Sequence, residues 1–282
     1  MIRRAIKIYP AFWLLILVTV GLDRLGIHGF SPVTWGNTAY EPLFVQNYRF
    51  GLWNHTWSLA VEEHFYLLLS VGLLRLTRIC PAHLLFRRLT WVVAGIAAAA
   101  FTFCFISYQR FGYSWFDLYA PTHHRLDPLA FGVFLAGFYH LRKDDYTQWA
   151  RRGRIGLRVA GMSLVSTCLF LPQNSLLMVS AGLCALYVGF GILLFLALSS
   201  GERSNRPIRL LAFMGRHSYS IYLWHMPILL WIKPLLRGLL GGEAEPVLTC
   251  FLYLFLSLLI GILASRMVEM PVLRLRDRPM TA

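Results

Sequence analysis

Two carboxylates, Glu62 and Glu63, stand side by side in the stretch NHTWSLAVEEHFY, residues 54 to 66, just before the chain runs on through the apolar LLLSVGLL. An ionised carboxylate at the centre of a membrane span costs roughly 2.5–3.5 kcal/mol on insertion scales, so such groups face a bundle interior or a wet cavity and mark function. Helical spacing groups them: Glu63, Tyr66 and Ser70 fall at i, i+3 and i+7, while Ser58 stands four residues before Glu62 on the adjoining stripe. Trp57 has the amphipathic ring of an interfacial anchor, which places the carboxylates about 8 Å further in at the helical rise. At that depth the alternative use is structural, pairing with a neighbouring helix or snorkelling to water.

Two further clusters carry polar groups into apolar runs. In HHRLDPLAFGVFLAG, Arg125 and Asp127 occupy the mouth of a span, and an Arg125 pairing with Glu62 or Glu63 is allowed by their shared membrane level. In GRHSYSIYLWHMPI, Ser218, Tyr222 and His225 recur at i, i+4 and i+7, so three hydrogen-bonding side chains share one helix face. That stripe would rise about 15 Å into the span, with His225 near the midplane. A satisfied structural histidine is the other reading of His225.

The elements that must position these residues are membrane helices. The chain has 282 residues, 57% hydrophobic and 14% charged, with a mean hydropathy of +0.56, far from the composition of a water-soluble domain. Apolar runs near the ~20 residues that cross a bilayer lie at about 9–25, 56–76, 89–107, 126–141, 155–171, 176–198, 215–235 and 247–268. The expected fold is therefore all-α, a polytopic transmembrane helix bundle of about eight spans. No repeat or low-complexity linker divides it, so residues 1–282 read as one membrane-embedded domain. The first run follows MIRRAIK, as in a signal peptide, but Asp23 and Arg24 replace a small-residue cleavage site, so it reads as a retained span.

Charge placement tests this topology. With a cytoplasmic N-terminus, 21 of the 27 Lys and Arg residues fall in inside segments and six outside, the asymmetry expected of a multi-pass cell (inner) membrane protein with both termini cytoplasmic. The net charge of +14 then follows from topology and anionic lipid headgroups, and nucleic acid is not an expected partner. Cys80, Cys104, Cys168, Cys184 and Cys250 lie in or beside apolar runs without CxxC spacing and read as buried free thiols. No HExxH, P-loop or GxSxG is present, and no metal site is expected.

Five stretches in order resemble the acyltransferase-3 family of polytopic membrane O-acyltransferases: RRAIKIYPAFW, WSLAVEEHFY, RLDPLAFG, GRHSYSIYLWHMPI and the closing EMPVLRLR. The resemblance covers essentially the whole chain. It implies transfer of an acyl group, commonly acetyl, from acyl-coenzyme A as co-substrate to a hydroxyl of a sugar or another envelope or secreted small molecule, with no bound cofactor. The donor is a cytosolic polyanion, and Arg3, Arg4 and Lys7 at the entrance of the first span would hold its phosphates, although ordinary inside-positive residues would look the same. The family pattern has arginine where Lys7 stands, and glutamine where His64 stands. Glu62 and Glu63 are implied as the catalytic pair, orienting the acceptor or supporting a proton relay. Trp57, Ser58, Arg125, Asp127, Ser218, Tyr222 and His225 are implied around the substrates.

One departure concerns the base. The family begins with two further spans, the first holding an R-x10-H arrangement whose histidine resembles the general base, and this chain opens at what matches the third. It is therefore expected to be an N-terminally truncated form and a poor acyltransferase by itself. His55, His123, His124 and His225 are present, but none has that context. A non-catalytic relative that binds or passes an acyl group or glycan is the alternative, as is an unrelated small-molecule transporter, against which the lack of a visible inverted repeat counts.

Overall fold

Long apolar runs without strand-like alternation leave the backbone to satisfy itself within each segment, which only helices do in hydrocarbon. The computed structural model is accordingly helical, without strands among its described residues, which are 2–28, 31–199, 206–240 and 246–276; side chains 2, 3, 207, 232–240, 246 and 276 lie outside the description. In chain order the helices are α1 Ile2–Arg24, α2 Trp35–Tyr40, α3 Trp57–Ile79, α4 Ala82–Phe111, α5 Trp115–Tyr119, α6 Leu126–Leu141, α7 Lys143–Arg152, α8 Arg154–Phe170, α9 Leu183–Ser199, α10 Arg206–Leu240, α11 Pro246–Ala264 and α12 Met270–Arg276. A 3-10 turn at Thr122–His124 precedes α6, and π turns at Met178–Gly182 and Ser265–Glu269 precede α9 and α12.

Four described helical stretches have the length and hydropathy of a bilayer crossing: Arg4–Arg24, Ala82–Phe111, Met178–Ser199 and Val247–Leu275. Leu126–Leu141 is apolar but shorter. The other expected runs do not meet both conditions because α3 carries Glu62 and Glu63, α10 mixes its arginines with His217, Ser218, Ser220, Tyr222 and His225, and α8 has 17 residues. Leu17, Trp91, Phe170, Leu198 and Phe251 are well exposed on these helices, an outer surface suited to lipid. Of the five thiols, Cys80 and Cys104 are buried, Cys168 and Cys184 half-buried, and Cys250 is exposed. Cys250 thus departs from the expected burial, since it sits on α11 beside outward-facing Phe251.

The chain forms two units, residues 1–57 with 204–282, and residues 58–203. In the first, α1 packs on α10, α12 and the second π turn, and α10 packs on α11. The α10–α11 approach depends on Gly261, where a Cβ would lie 2.6 Å from the Ile221 Cα. Such small-residue contacts let helices approach closely where hydrophobicity alone cannot drive them together. The Tyr219 hydroxyl donates to the Ile8 carbonyl at 2.8 Å, tying α10 to the early turns of α1. Helix α1 starts at Ile2, well before the expected residue 9, and runs through Pro10.

In the second unit α4 packs on α6, α6 on α9, and α9 on α8. Phe65, Leu89, Val93 and Ala130 form the core shared by α3, α4 and α6. Gly161 and Gly189 make the α8–α9 contact, each placing a would-be Cβ 3.0–3.2 Å from the other's carbonyl oxygen. Helix α4 ends at Gly112, whose φ of 72° no side-chain-bearing residue adopts cheaply.

Candidate functional site

Sequence-distant polar residues of the first unit converge around His55. Its support is Glu41, fully buried, whose Oε1 accepts from the backbone N–H of Leu52 (2.7 Å) and Trp53 (3.3 Å) and from the Thr56 hydroxyl (3.2 Å). Gly51 permits this: a Cβ there would collide with the Glu41 carboxylate. Burial pushes the Glu41 carboxyl up to about 7, against the lowering effect of its hydrogen bonds. The resulting turn is pinned to α1, since the Trp53 indole N–H donates to Thr19 Oγ1 at 2.8 Å.

Three rings then meet. The His55 ring centroid lies 5.3 Å from that of Tyr222 and 5.0 Å from that of His225. The Tyr222 hydroxyl donates to the His55 carbonyl. His55 Nε2 lies 3.1 Å from the Leu223 carbonyl oxygen, which can only accept, so Nε2 carries the proton and Nδ1 keeps its lone pair. That Nδ1 is buried and has no partner among the described residues. Burial, and then the neighbouring His225, hold His55 down at about 3, so it is neutral at ordinary pH. His225 Nδ1 is hydrogen-bonded to the Tyr222 carbonyl, which by the same logic leaves the Nε2 lone pair of His225 available. Two imidazoles thus sit side by side, that of His55 neutral.

Tyr222 and His225 join this cluster, whereas Ser218 does not. It is exposed and donates to the Gly215 carbonyl at 2.9 Å. At the level of Ser218 the buried side of α10 is the one bearing His217 and Ser220. Arg4 is half-buried on α1, Lys7 is exposed, and the Arg3 side chain lies outside the described residues.

Trp57, half-buried at the start of α3, is the last residue of the 1–57 stretch of the first unit; the second unit opens at half-buried Ser58, with Glu62 and Glu63 half-buried one turn later. His64 is the link from α3 to the 3-10 turn, its Nδ1 lying 2.7 Å from Thr122 Oγ1. That turn aims Arg125, which donates to the carbonyls of Tyr119 (3.2 Å) and Leu118 (3.3 Å) and lies 4.7 Å over the Tyr119 ring. Burial pulls Arg125 below its ordinary value. Burial likewise holds His124 down at about 4, helped by the neighbouring His123 and Arg125. Asp127 is buried in the first turn of α6, with the Cys184 thiol donating to its Oδ2 at 3.8 Å and its Oδ1 unpartnered among the described residues. Arg125 and Asp127 are thus fixed together, by backbone carbonyls and burial.

Sequence reasoning missed Glu41 and gave His55 no role. A buried acid in a polar loop carries no periodic signal, and the partners of His55 lie 167 and 168 residues away.

Residues 1–266 match the family designated Acyl_transf_3, an acyltransferase domain, and the chain belongs to that family. Among curated proteins it is 23% identical over 296 residues to "Putative O-acetyltransferase SACOL0978" of Staphylococcus aureus (strain COL), covering 96% of this chain and 46% of that protein. It is 26% identical over 232 residues to O-acetyltransferase OatA of Staphylococcus aureus (strain NCTC 8325 / PS 47), covering 77% and 36% respectively. The chain therefore spans about half the length, or less, of the curated relatives it matches. No solved structure gives a significant match.

Proposed function

We propose that this chain is the membrane-embedded portion of an O-acyltransferase that moves an acyl group, acetyl in the first instance, from acyl-coenzyme A to a hydroxyl of a sugar or another envelope or secreted small molecule. Family membership supports the reaction class. The observation that carries the chemistry is the pair of adjoining imidazoles at His55 and His225, with the buried Nδ1 of His55 unpartnered among the described residues. Acyl transfer to a hydroxyl needs a base to take the hydroxyl proton as oxygen attacks the thioester carbonyl; the leaving thiolate then recovers a proton. With His55 held neutral, the Nε2 lone pair of His225 is the acceptor for that proton, and Tyr222 fixes the backbone that presents His55. On α3, Glu62 and Glu63 keep the role implied by the family, orienting the acceptor or relaying protons. Arg3, Arg4 and Lys7 keep theirs toward donor phosphates.

The accompanying topology is eight crossings of the cell membrane with both termini cytoplasmic, α3, α6, α8 and α10 joining the four long apolar stretches. The charge asymmetry supports it, and reporter fusions at residues 145 and 175 would test it by reading opposite sides.

The deciding experiment uses the chain in lipid nanodiscs with acetyl-labelled acetyl-coenzyme A and a hydroxyl acceptor such as a muropeptide, scoring label transfer and free thiol release. Transfer that falls by about 10²–10⁴-fold in His225→Gln, with donor binding retained, is the expected result. Donor binding without transfer in the unaltered chain would assign a non-catalytic relative instead, and no donor binding would remove the reading.

A further inference from the structure

The closing motif EMPVLRLR and the cytoplasmic-side residues of α10 are not used by the site around His55, yet they build a second feature within the same unit. A cavity of about 420 Å³ is lined by Phe213, Arg216 and His217 of α10 and by Arg266, Met270 and Arg274 of the π turn and α12. The first three fall at i, i+3 and i+4, the second three at i, i+4 and i+8, so two helical stripes face a common space. Three guanidiniums reach it, and no carboxylate lines it among the described residues. None of the three makes an ion pair or hydrogen bond to another described residue. Arg266 lies 6.0 Å over the Phe213 ring.

The wall of this cavity is rigidly built. Glu269, buried beneath it, accepts at Oε2 from Ser220 (2.8 Å) and from Ser265 (3.1 Å). With its only proton spent on Glu269, the Ser265 oxygen must accept from His217 Nδ1–H, 2.9 Å away. His217 is further packed on Phe213 at 4.8 Å between ring centroids. Ser265 and Glu269 are the ends of the π turn, a distortion frequently found at functional sites. Here it lets both side chains point inward while Arg266, between them, stays exposed at the cavity.

We propose that this cavity is a phosphate-binding site, with Arg216, Arg266 and Arg274 as its ligands. Uncompensated guanidiniums converging on one space match a multiply charged oxyanion, because each offers paired N–H donors to phosphate oxygens. Arginines that serve orientation alone have no reason to converge on a walled cavity free of carboxylates. The phosphate belongs either to the nucleotide end of coenzyme A or to an anionic phospholipid headgroup. The nucleotide source rests on the acyl-donor reading above, whereas the site itself does not.

Binding, rather than turnover, tests it. The full chain is placed in nanodiscs of pure phosphatidylcholine and titrated with coenzyme A by calorimetry; in parallel it is placed in nanodiscs containing phosphatidylglycerol, and lipids retained after extraction are counted by native mass spectrometry. The triple variant Arg216→Gln, Arg266→Gln and Arg274→Gln is compared with single variants, all at exposed side chains, and with Arg266→Lys, which keeps charge but loses the two-pronged geometry. The expected result is a loss of about ten- to a hundredfold in one of the two affinities, with Arg266→Lys intermediate. Loss of coenzyme A affinity assigns the nucleotide, and loss of phosphatidylglycerol retention assigns the lipid. Neither ligand binding the unaltered chain, or both binding the folded variants unchanged, overturns the proposal. Because acyl transfer is not measured, a failed activity assay leaves this outcome separate.

Discussion

Replacing Glu41 by Gln should change how stability depends on pH, in a direction and by an amount set by burial. The Glu41 carboxyl titrates near 4.5 when exposed and at about 7 in the fold. Between those values the folded chain retains a proton that the unfolded chain has released, so raising the pH through that window weakens the fold. The penalty is absent below about pH 4.5 and complete above about pH 7, and amounts to roughly 3 kcal/mol at about 1.4 kcal/mol per pKa unit. Glutamine cannot ionise, yet its amide oxygen can still accept from Leu52, Trp53 and Thr56. Glu41→Gln should therefore gain on the unaltered chain as pH rises from 5 to 7.5, by roughly 6–12 °C in unfolding midpoint for a chain of this size. Thermal scans by intrinsic fluorescence in nanodiscs, at one scan rate and two pH values, read this directly. Parallel pH dependences in the two proteins would show that Glu41 is ionised in the fold and that burial does not dominate its environment.

Gly261→Ala should lower stability by about 1–3 kcal/mol, because the new methyl meets the Ile221 backbone at 2.6 Å and α10 and α11 must part; an unchanged unfolding midpoint would show that the helices can separate freely. Tyr222→Phe removes the hydroxyl bonded to the His55 carbonyl and should cost about 0.5–1.5 kcal/mol in the same scan, with a larger fall in acyl transfer than in donor affinity. Glu62→Gln and Glu63→Gln, made singly, should each reduce label transfer, by about 10²–10⁴-fold for the one that handles a proton; full transfer by both would limit the pair to structure.

The amino-acid sequence by itself determined the class of this protein. Apolar runs of bilayer length admit only helices in hydrocarbon, and five ordered motifs led to the family that the match over residues 1–266 then showed. It also singled out Arg125, Asp127, Tyr222 and His225 as polar residues needing an explanation, and these are half-buried or buried. Local chemistry was legible because it depends on residue type and helical spacing.

Which face of a helix looks inward was not legible, and α10 shows why. In a soluble helix the buried stripe is the apolar one, but lipid is as apolar as a core, so hydrophobicity does not distinguish Ser218, which is exposed, from Ser220, which is buried on Glu269. The same holds for His55 and Glu41. Nothing within their own segment announces that one imidazole will rest on a carbonyl 168 residues away or that one carboxyl will be sealed from water. The π turn at Ser265–Glu269 was equally hidden, since it shifts helical register by one residue without a breaker in the sequence. Tertiary packing alone decided these features, because burial and pairing are set by which segments meet, and that depends on the whole chain closing around each polar group.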